Sequence, residues 1–157
     1  MSETVKIAIQ KSGRLSENTL ALLKDCGIKV SSVQNRLKEK AANFPAEVLF
    51  LRDDDIPEYV QDGVADIGIV GQNVVVEKGK NVDETEWLGF GKCRLSLAVS
   101  KNDKYDSLAF FNGKRIATSY PLLLKNFLEK NKITATIHEI SGSVEIAPGI
   151  GLAEGIC

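Results

Sequence analysis

The chain has 157 residues and a mass of 17.1 kDa, enough for one ordinary domain or two small ones. Its 43% hydrophobic and 26% charged residues are close to the average of soluble globular proteins, which excludes disordered chains, collagen and low-complexity arrays. The 20 basic and 21 acidic residues leave a net charge of −1, so no overall positive field draws the chain to nucleic acid or anionic lipid. We expect neither as a partner, whereas a local cationic pocket for a small anion is compatible with this balance.

Sequence signals for export and for metal binding are missing. No stretch approaches the ~20 apolar residues of a membrane helix, and the N-terminus lacks the cationic start and apolar core of a signal peptide. Cys26, Cys93 and Cys157 are odd in number and far apart, which is typical of reduced cytosolic thiols. His138 is the one histidine, and neither a CxxC nor an HExxH spacing occurs. We therefore expect a cytoplasmic location and no metal site built by the protein itself.

The first half of the chain alternates strand-like and helix-like segments. Alternating apolar residues over 5–10 predict a strand, which the loop 11–14 interrupts. Ser16 is expected to cap a helix that ends at Gly27, where a left-handed residue can terminate it. Further strands are predicted at 28–30, 48–51, 65–70 and 95–99.

The order of these segments predicts an α/β layered structure with a mostly parallel sheet, because strands alternate with helices. The near-continuous apolar run 65–70 is expected to be a strand covered on both faces. The composition turns polar at 100–104, so a first unit is expected at 1–100 and a second, incomplete unit at 101–157. The second unit is predicted to contain strands at 115–118 and 134–140 around a helix at 122–131.

The loop 11–14 is the first candidate for ligand binding. It follows a strand and precedes a helix, at the carboxyl edge where open α/β sheets bind ligands. Backbone N–H groups at the helix start, together with Lys11 and Arg14, have the chemistry to hold a phosphate. The alternative is an ordinary solvated loop, and this segment alone favours the ordinary loop.

Arg52 and the three aspartates 53–55 form a second candidate at the end of another strand. Three adjacent carboxylates can recruit Mg²⁺, but such a run more often caps a helix, here one with Pro57 in its first turn. We favour helix capping for Asp54 and Asp55 and a substrate role for Arg52.

Two further segments also follow predicted strands. The glycines around Gly71 allow either a close backbone approach or a tight turn. The segment 118–121 ends a strand and begins a helix, which makes it another phosphate-binding corner. Neither a dinucleotide fingerprint nor an ATP-type P-loop is present, because Glu154 replaces the third glycine of the first and Arg115 replaces the Ser or Thr of the second. The shared position of the candidates at strand ends favours a cleft for phosphorylated ligands.

Taken together, the chain resembles the ATP phosphoribosyltransferase family, the first enzyme of histidine biosynthesis. The resemblance is carried by six segments in the family's order over nearly the whole chain: Gln10-Lys11-Ser12-Gly13-Arg14-Leu15, Arg52-Asp53-Asp54-Asp55-Ile56-Pro57, Asp66-Ile67-Gly68-Ile69-Val70-Gly71, Cys93-Arg94-Leu95, Gly113-Lys114-Arg115-Ile116-Ala117-Thr118-Ser119-Tyr120-Pro121 and Gly142-Ser143-Val144-Glu145.

The resemblance implies a fold of the periplasmic-binding-protein type II kind, with two α/β lobes around a cleft and the second lobe truncated. It implies that adenine N1 of ATP attacks phosphoribosyl pyrophosphate, giving phosphoribosyl-ATP and pyrophosphate, with Mg²⁺ bound to the substrate and a homo-oligomeric intact enzyme. Arg14 and Arg52 would stabilise the pyrophosphate or bind nucleotide phosphate. The resemblance places the remaining expected site residues along the substrate cleft and near the lobe junction: Lys11, Gly13, Gly71, Thr118, Ser119, Tyr120 and Glu145.

Two departures from the family pattern qualify the expected activity. Gly89 stands where some relatives carry Asp, and the family's phosphoribosyl pyrophosphate loop follows directly after the position of Cys157. We therefore expect an N-terminal fragment that lacks the returning part of the first lobe and is inactive as it stands. The alternative from another class is a small-anion binding module of the same fold without catalysis.

Overall fold

The structure is a computed structural model that describes residues 4–31 and 36–157. The chain divides into two compact units, Met1–Lys92 and Cys93–Cys157. Each contains one four-stranded mixed sheet with helices, which confirms the α/β prediction.

The sheet of the first unit has the strand order β2-β3-β1-β4, with β1 parallel to both β3 and β4 and β2 antiparallel to β3. Its strands are β1 (Val5–Gln10), β2 (Lys38–Lys40), β3 (Ala46–Leu51) and β4 (Ile67–Ile69). Its helices are α1 (Arg14–Asp25), α2 (Ile56–Gln61) and α3 (Gln72–Lys78), and a short 3-10 helix covers Asp53–Asp55.

Alternation along β1 builds a core on each face of this sheet. Ile7 and Ile9 lie on one face in a cluster with Leu23 of α1, while the small side chain of Ala8 lies on the other face with Ile56 of α2. Because successive side chains of a strand point to opposite faces, the six residues of β1 contribute to the core on both sides of the sheet.

Local expectations fail at the start of α1 and in the segment after it. The helix begins two residues before Ser16, which is buried in its first turn, and Gly13 is the N-cap residue. The predicted strand at 28–30 is wrong, and the antiparallel strand β2 was not predicted. Pairing with β3 makes β2 a strand, although its Lys-Glu-Lys sequence has little strand propensity.

Strand β4 is shorter and more exposed than its apolar sequence predicts. Ile67 is 49% exposed, so the expectation of cover on both faces is wrong at this position among the described residues. The neighbouring Gly68, by contrast, is closely packed. A β-carbon there would lie 2.7 Å from Cγ2 of Ile56 and 2.9 Å from Cγ2 of Val60. Helix α2 therefore packs directly on the backbone of β4.

The sheet of the second unit has the strand order β5-β8-β6-β7. Strand β6 is parallel to both β7 and β8, whereas β5 is antiparallel to β8. Its strands are β5 (Ala98–Val99), β6 (Arg115–Thr118), β7 (Thr136–Glu139) and β8 (Gly155–Ile156), with helix α4 at Pro121–Lys130. Short 3-10 helices cover Leu108–Phe111 and Val144–Ile146. The core joins Phe111 and Ile116 to Leu124 and Leu128 of α4.

The division between the units falls after residue 92, whereas the polar composition placed it after residue 100. Strand β5 lies in the second unit because its residues pair with β8. The boundary could not be predicted from local composition, because it depends on pairing with a strand more than 50 residues away.

The three cysteines are free thiols. Within the described parts of the chain, no helix has the length and apolar character needed to cross a membrane.

Candidate functional site

Three parallel strands of the first unit end at one edge of its sheet. Register pairs Gln10 of β1 with Leu51 of β3, and the next backbone N–H, that of Lys11, donates to the Leu51 carbonyl at 2.8 Å. Lys11 and Arg52 therefore leave the sheet side by side. Strand β4 lies on the other side of β1, where Ile69 pairs with Ile9. Gly71 and Lys11 each come two residues after this pair, so they leave the sheet at the same level.

This edge carries three basic side chains, of Lys11, Arg14 and Arg52, which we call the cationic edge. All three residues are exposed, and none forms an ion pair with another residue that the structure describes. The carboxylate of Asp54, close to them in sequence, is paired instead with Lys78 of α3 at 3.5 Å. The three cations therefore remain available to phosphate oxygens, with which they can form charge-assisted hydrogen bonds.

The start of α1 adds backbone donors to the cationic edge. Gly13 has φ 93° and ψ 179°, a conformation that requires glycine, and its carbonyl accepts the first helical hydrogen bond from Glu17 at 3.1 Å. Among the residues that the structure describes, no side chain makes a capping hydrogen bond at this helix start. The N–H groups of its first turn therefore face the edge with the positive end of the helix dipole.

The aspartates after Arg52 do not act as predicted. Asp55 occupies the N-cap position of α2 but makes no side-chain capping hydrogen bond, and the carboxylate of Asp54 faces Lys78. The capping hydrogen bond is therefore a wrong prediction, although Pro57 does lie in the first turn. Among the described residues, no group of three or more His, Cys, Asp or Glu side chains is arranged to hold a metal ion.

Gly71, which follows β4, does not adopt a backbone conformation that requires glycine. Its φ of −68° is open to any residue. A β-carbon at this position would lie 2.5 Å from Oδ1 of Asn73, which folds back over the backbone. This oxygen is the far end of a flexible side chain, so the contact does not make glycine obligatory. The approach of a ligand to the backbone at Gly71 stays a prediction.

In the second unit, β6 and β7 end at a corner closed by side-chain hydroxyl groups. Thr118 is fully buried, and its Oγ1 accepts a hydrogen bond from the N–H of Tyr120 at 2.9 Å. Ser119 Oγ donates to the Ile140 carbonyl at 2.8 Å and accepts from the N–H of Gly142 at 3.5 Å. These contacts fix the start of α4 and the chain that leaves β7.

The other two features of the corner are Tyr120 and Glu145. Tyr120 is the N-cap residue of α4. Glu145 is exposed in the 3-10 helix that follows Ser143, whose φ of 48° turns the chain sharply. The predicted site residues thus form two groups, Lys11, Gly13, Arg14, Arg52 and Gly71 in the first unit and Thr118, Ser119, Tyr120 and Glu145 in the second.

Sequence reasoning missed the strongest ion pair in the second unit. Arg115, at the start of β6, donates its backbone N–H to Glu154 at 2.8 Å and binds both carboxylate oxygens through Nε and Nη2. The Arg115 side chain, and secondarily its backbone N–H, hold the pKa of Glu154 at about 2. The partners are 39 residues apart, so no local pattern signals the pair.

Asp66 likewise has a structural role at the opposite edge of the first sheet. Its Oδ2 accepts the N–H of Lys6 at 2.7 Å, and its own N–H donates to the Lys6 carbonyl at 2.9 Å. It therefore joins β1 to β4 at the strand starts, away from the cationic edge.

Comparisons with known proteins all lead to one family. The family model described as ATP phosphoribosyltransferase matches residues 52–157. ATP phosphoribosyltransferase of Cytophaga hutchinsonii is 62% identical over 157 residues, which cover 100% of this chain and 55% of that protein. The protein of the same name from Bacteroides thetaiotaomicron is 56% identical over 152 residues, 97% of this chain and 54% of that protein.

A solved structure also matches. In the ATP phosphoribosyl transferase (HisG:HisZ) complex from Thermotoga maritima, one chain aligns with a TM-score of 0.78 and 30% identity, covering 98% of this chain and 72% of that one. The chain spans about half the length of the curated relatives it matches.

Proposed function

This chain belongs to the ATP phosphoribosyltransferase family, and from this premise we propose that its whole protein transfers the phosphoribosyl group of phosphoribosyl pyrophosphate to ATP. The observation that carries the proposal is 62% identity to a curated ATP phosphoribosyltransferase over every residue of the chain. The exposed cations at the strand ends of the first unit support it, because both substrates carry several phosphate groups.

The proposed reaction is a displacement at the anomeric carbon of the ribose. A bond forms between adenine N1 and this carbon while the bond to the diphosphate oxygen breaks, and that electron pair leaves with pyrophosphate. The nucleophile is a neutral ring nitrogen, so no strong base is required. The chemistry needs in-line positioning and cations facing the departing diphosphate.

In the first unit, we assign the phosphate contacts to the cationic edge. Arg14 and Arg52 can each bind two phosphate oxygens through the guanidinium fork, whereas Lys11 supplies a compact charge. Gly13 keeps the N–H groups of the first turn of α1 accessible to a phosphate. Gly71 would allow the ligand to approach the backbone where β4 ends.

The predicted residues of the second unit have two proposed roles. The hydroxyls of Thr118 and Ser119 are already hydrogen-bonded within the corner, so we assign them to holding its shape. Tyr120 and Glu145 remain the proposed substrate contacts there. The Mg²⁺ that the family resemblance implies would be held by diphosphate oxygens, the hard ligands that this cation prefers.

The test is product formation by a chain extended to the length of the curated relatives. Incubated with ATP, phosphoribosyl pyrophosphate and Mg²⁺, it should release pyrophosphate and form phosphoribosyl-ATP, and omission of either substrate is the control. A folded, extended chain that binds nucleotide but yields no product would refute catalysis and favour the anion-binding alternative.

A further inference from the structure

Ser16 lies in the first turn of α1 and is only 5% exposed, but its hydroxyl group has no hydrogen-bond partner among the described residues. The hydroxyl of Thr19, three residues later, donates to the Leu15 carbonyl at 2.7 Å, which is a common way to satisfy a hydroxyl group inside a helix. Ser16 makes no such bond to an earlier carbonyl, and the expected capping bond is also absent from the described part of the chain. A nearly buried residue thus keeps an unused donor.

The position of Ser16 is set by the face of α1 that packs on the sheet. The buried residues of this helix are Ser16, Thr19 and Leu23, and Leu23 lies in the core cluster with Ile7 and Ile9 of β1. Residues three and seven positions apart share one face of a helix, so Ser16 also faces the sheet. It is the first of the three, and α1 begins shortly after β1 ends. Ser16 therefore lies beside the carboxyl ends of the strands, next to the cationic edge.

The hydroxyl group of Ser16 is the part of the residue that reaches the surface. Among the described residues, every fully buried side-chain nitrogen or oxygen atom has a hydrogen-bond partner. Because Oγ of Ser16 has none, this atom is not fully buried. Side chains in an α-helix lean toward the helix N-terminus. The hydroxyl is therefore directed to the first turn of α1, where Gly13 keeps backbone N–H groups accessible.

We propose that the Ser16 hydroxyl donates a hydrogen bond to a phosphate oxygen bound at the cationic edge. This inference rests on the proposed function and adds a residue to the same site. A deprotonated phosphate has several acceptor oxygens, so the hydroxyl can bind one while the arginines and the first-turn N–H groups bind the others. Packing already holds the Ser16 side chain, so little side-chain entropy is lost when the ligand binds. The hydroxyl thus adds a donor of fixed direction to a group of long, exposed side chains.

The replacement Ser16→Ala removes the hydroxyl and keeps a small side chain at the packed position. Calorimetric titration should show about tenfold weaker binding of AMP and of pyrophosphate, as expected for the loss of a hydrogen bond to a charged group. Adenosine, which has no phosphate, should bind the variant and the parent chain equally. The melting temperature should not fall, because alanine favours a helix more than serine does and no internal hydrogen bond is lost.

The matched control is Thr19→Val. It removes a hydroxyl from the same face of α1, about one turn further from the helix start, where that hydroxyl is already bonded within the helix. The affinity of this variant for AMP and for pyrophosphate should equal that of the parent chain. Its melting temperature should fall, because Thr19 is fully buried and its hydrogen bond is lost.

Three results would overturn the inference. The first is unchanged AMP affinity in Ser16→Ala while Arg52→Ala weakens AMP binding, and the proposed function would then stand without Ser16. The second is equal weakening of AMP and adenosine binding, which would give Ser16 a purely structural role. The third is unchanged AMP affinity in Ser16→Ala, Arg14→Ala and Arg52→Ala alike, which would contradict the cationic edge as the phosphate site as well.

Discussion

At the scale of single residues, the candidate site depends on three cations that have no ion-pair partner in the described part of the chain. Lys11, Arg14 and Arg52 are exposed and belong to neither core cluster of the first unit. Elsewhere in this unit basic side chains do find carboxylates, as Lys80 does with Glu58. Unpaired cations together at strand ends are a surface that binds anions at little structural cost.

Replacing either arginine should therefore affect binding and not stability. Arg14→Ala or Arg52→Ala should weaken AMP binding about 10–100-fold, as expected for loss of a charge-assisted hydrogen bond worth about 1.5–3 kcal/mol. The free energy of unfolding should change by less than about 0.5 kcal/mol. Lysine at either position should restore part of the affinity, because it lacks the bidentate fork.

Calorimetric titration with AMP provides the measurement, and Arg36→Ala is the matched control. Arg36 lies in the same unit and pairs with Glu39 of β2. Its replacement changes the net charge by the same amount. Unchanged affinity in both arginine variants, or equal weakening in the control, would remove them from the site.

Gly155 gives a second residue-scale prediction, which concerns stability. A β-carbon there would lie 2.5 Å from Cε1 of the buried Phe111 and 3.3 Å from the carbonyl oxygen of Ala98. Gly155→Ala should lower the free energy of unfolding by about 1–3 kcal/mol through overpacking. Denaturant unfolding measures this, with Gly149→Ala as control, because the nearest atom to a β-carbon there is 3.5 Å away. Equal stability of the two variants would contradict the tight packing.

At the scale of elements, the ion pair of Arg115 and Glu154 joins the first residue of β6 to the residue before β8. Register places Ile116 of β6 opposite Gly155 of β8, so the pair lies at the starts of two parallel strands. The Glu154 N–H also donates to the Arg115 carbonyl at 3.0 Å. Backbone and side-chain contacts together fix how β8 enters the sheet.

This pair predicts an acid-dependent loss of stability. Folding lowers the pKa of Glu154 from 4.5 to about 2, so its contribution is complete above pH 4.5 and disappears as the pH falls through 2. Glu154→Gln should remove that part of the pH dependence and be destabilising mainly at the upper end of this range. Urea unfolding between about pH 2 and pH 6 tests this. Glu129→Gln, from the exposed pair with Lys125 at 3.9 Å, should keep the original dependence.

At the scale of the whole molecule, the proposed function separates nucleotide binding from turnover. We propose that the phosphates of ATP or AMP bind at the cationic edge, which lies within this chain. The chain spans about half the length of its curated relatives, and the reaction requires both substrates in line.

The 157-residue chain should therefore bind ATP weakly and bind phosphoribosyl pyrophosphate no better. Turnover should be absent, because oriented binding contributes up to about 7–11 kcal/mol to such reactions. Calorimetric titration with each substrate and a pyrophosphate-release assay test this, with the extended chain as positive control. Tight phosphoribosyl pyrophosphate binding or normal turnover by this chain would mean that the site has been misplaced.

The sequence by itself determined the family, the α/β class and the position of the candidate residues at strand ends. Alternating apolar residues predicted β1, the strand predicted at 115–118 is β6, and Pro57 lies in the helical turn where it was expected. These predictions are confirmed because the spacing of apolar residues, the geometry of proline and the order of the motifs depend only on residues close together in the sequence. The roles of the site residues themselves stay predictions.

Only the tertiary structure decided the features that depend on distant partners. Strand β2 exists through its pairing with β3, the second unit begins before residue 100 because β5 pairs with β8, and Glu154 has its partner 39 residues away. The carboxylate of Asp54, which was expected to cap α2, instead pairs with Lys78 of a later helix. A local sequence pattern determines which secondary structure a segment favours. Its hydrogen-bond register and its ion pairs depend instead on the residues that the fold places opposite it, and these are distant in the sequence.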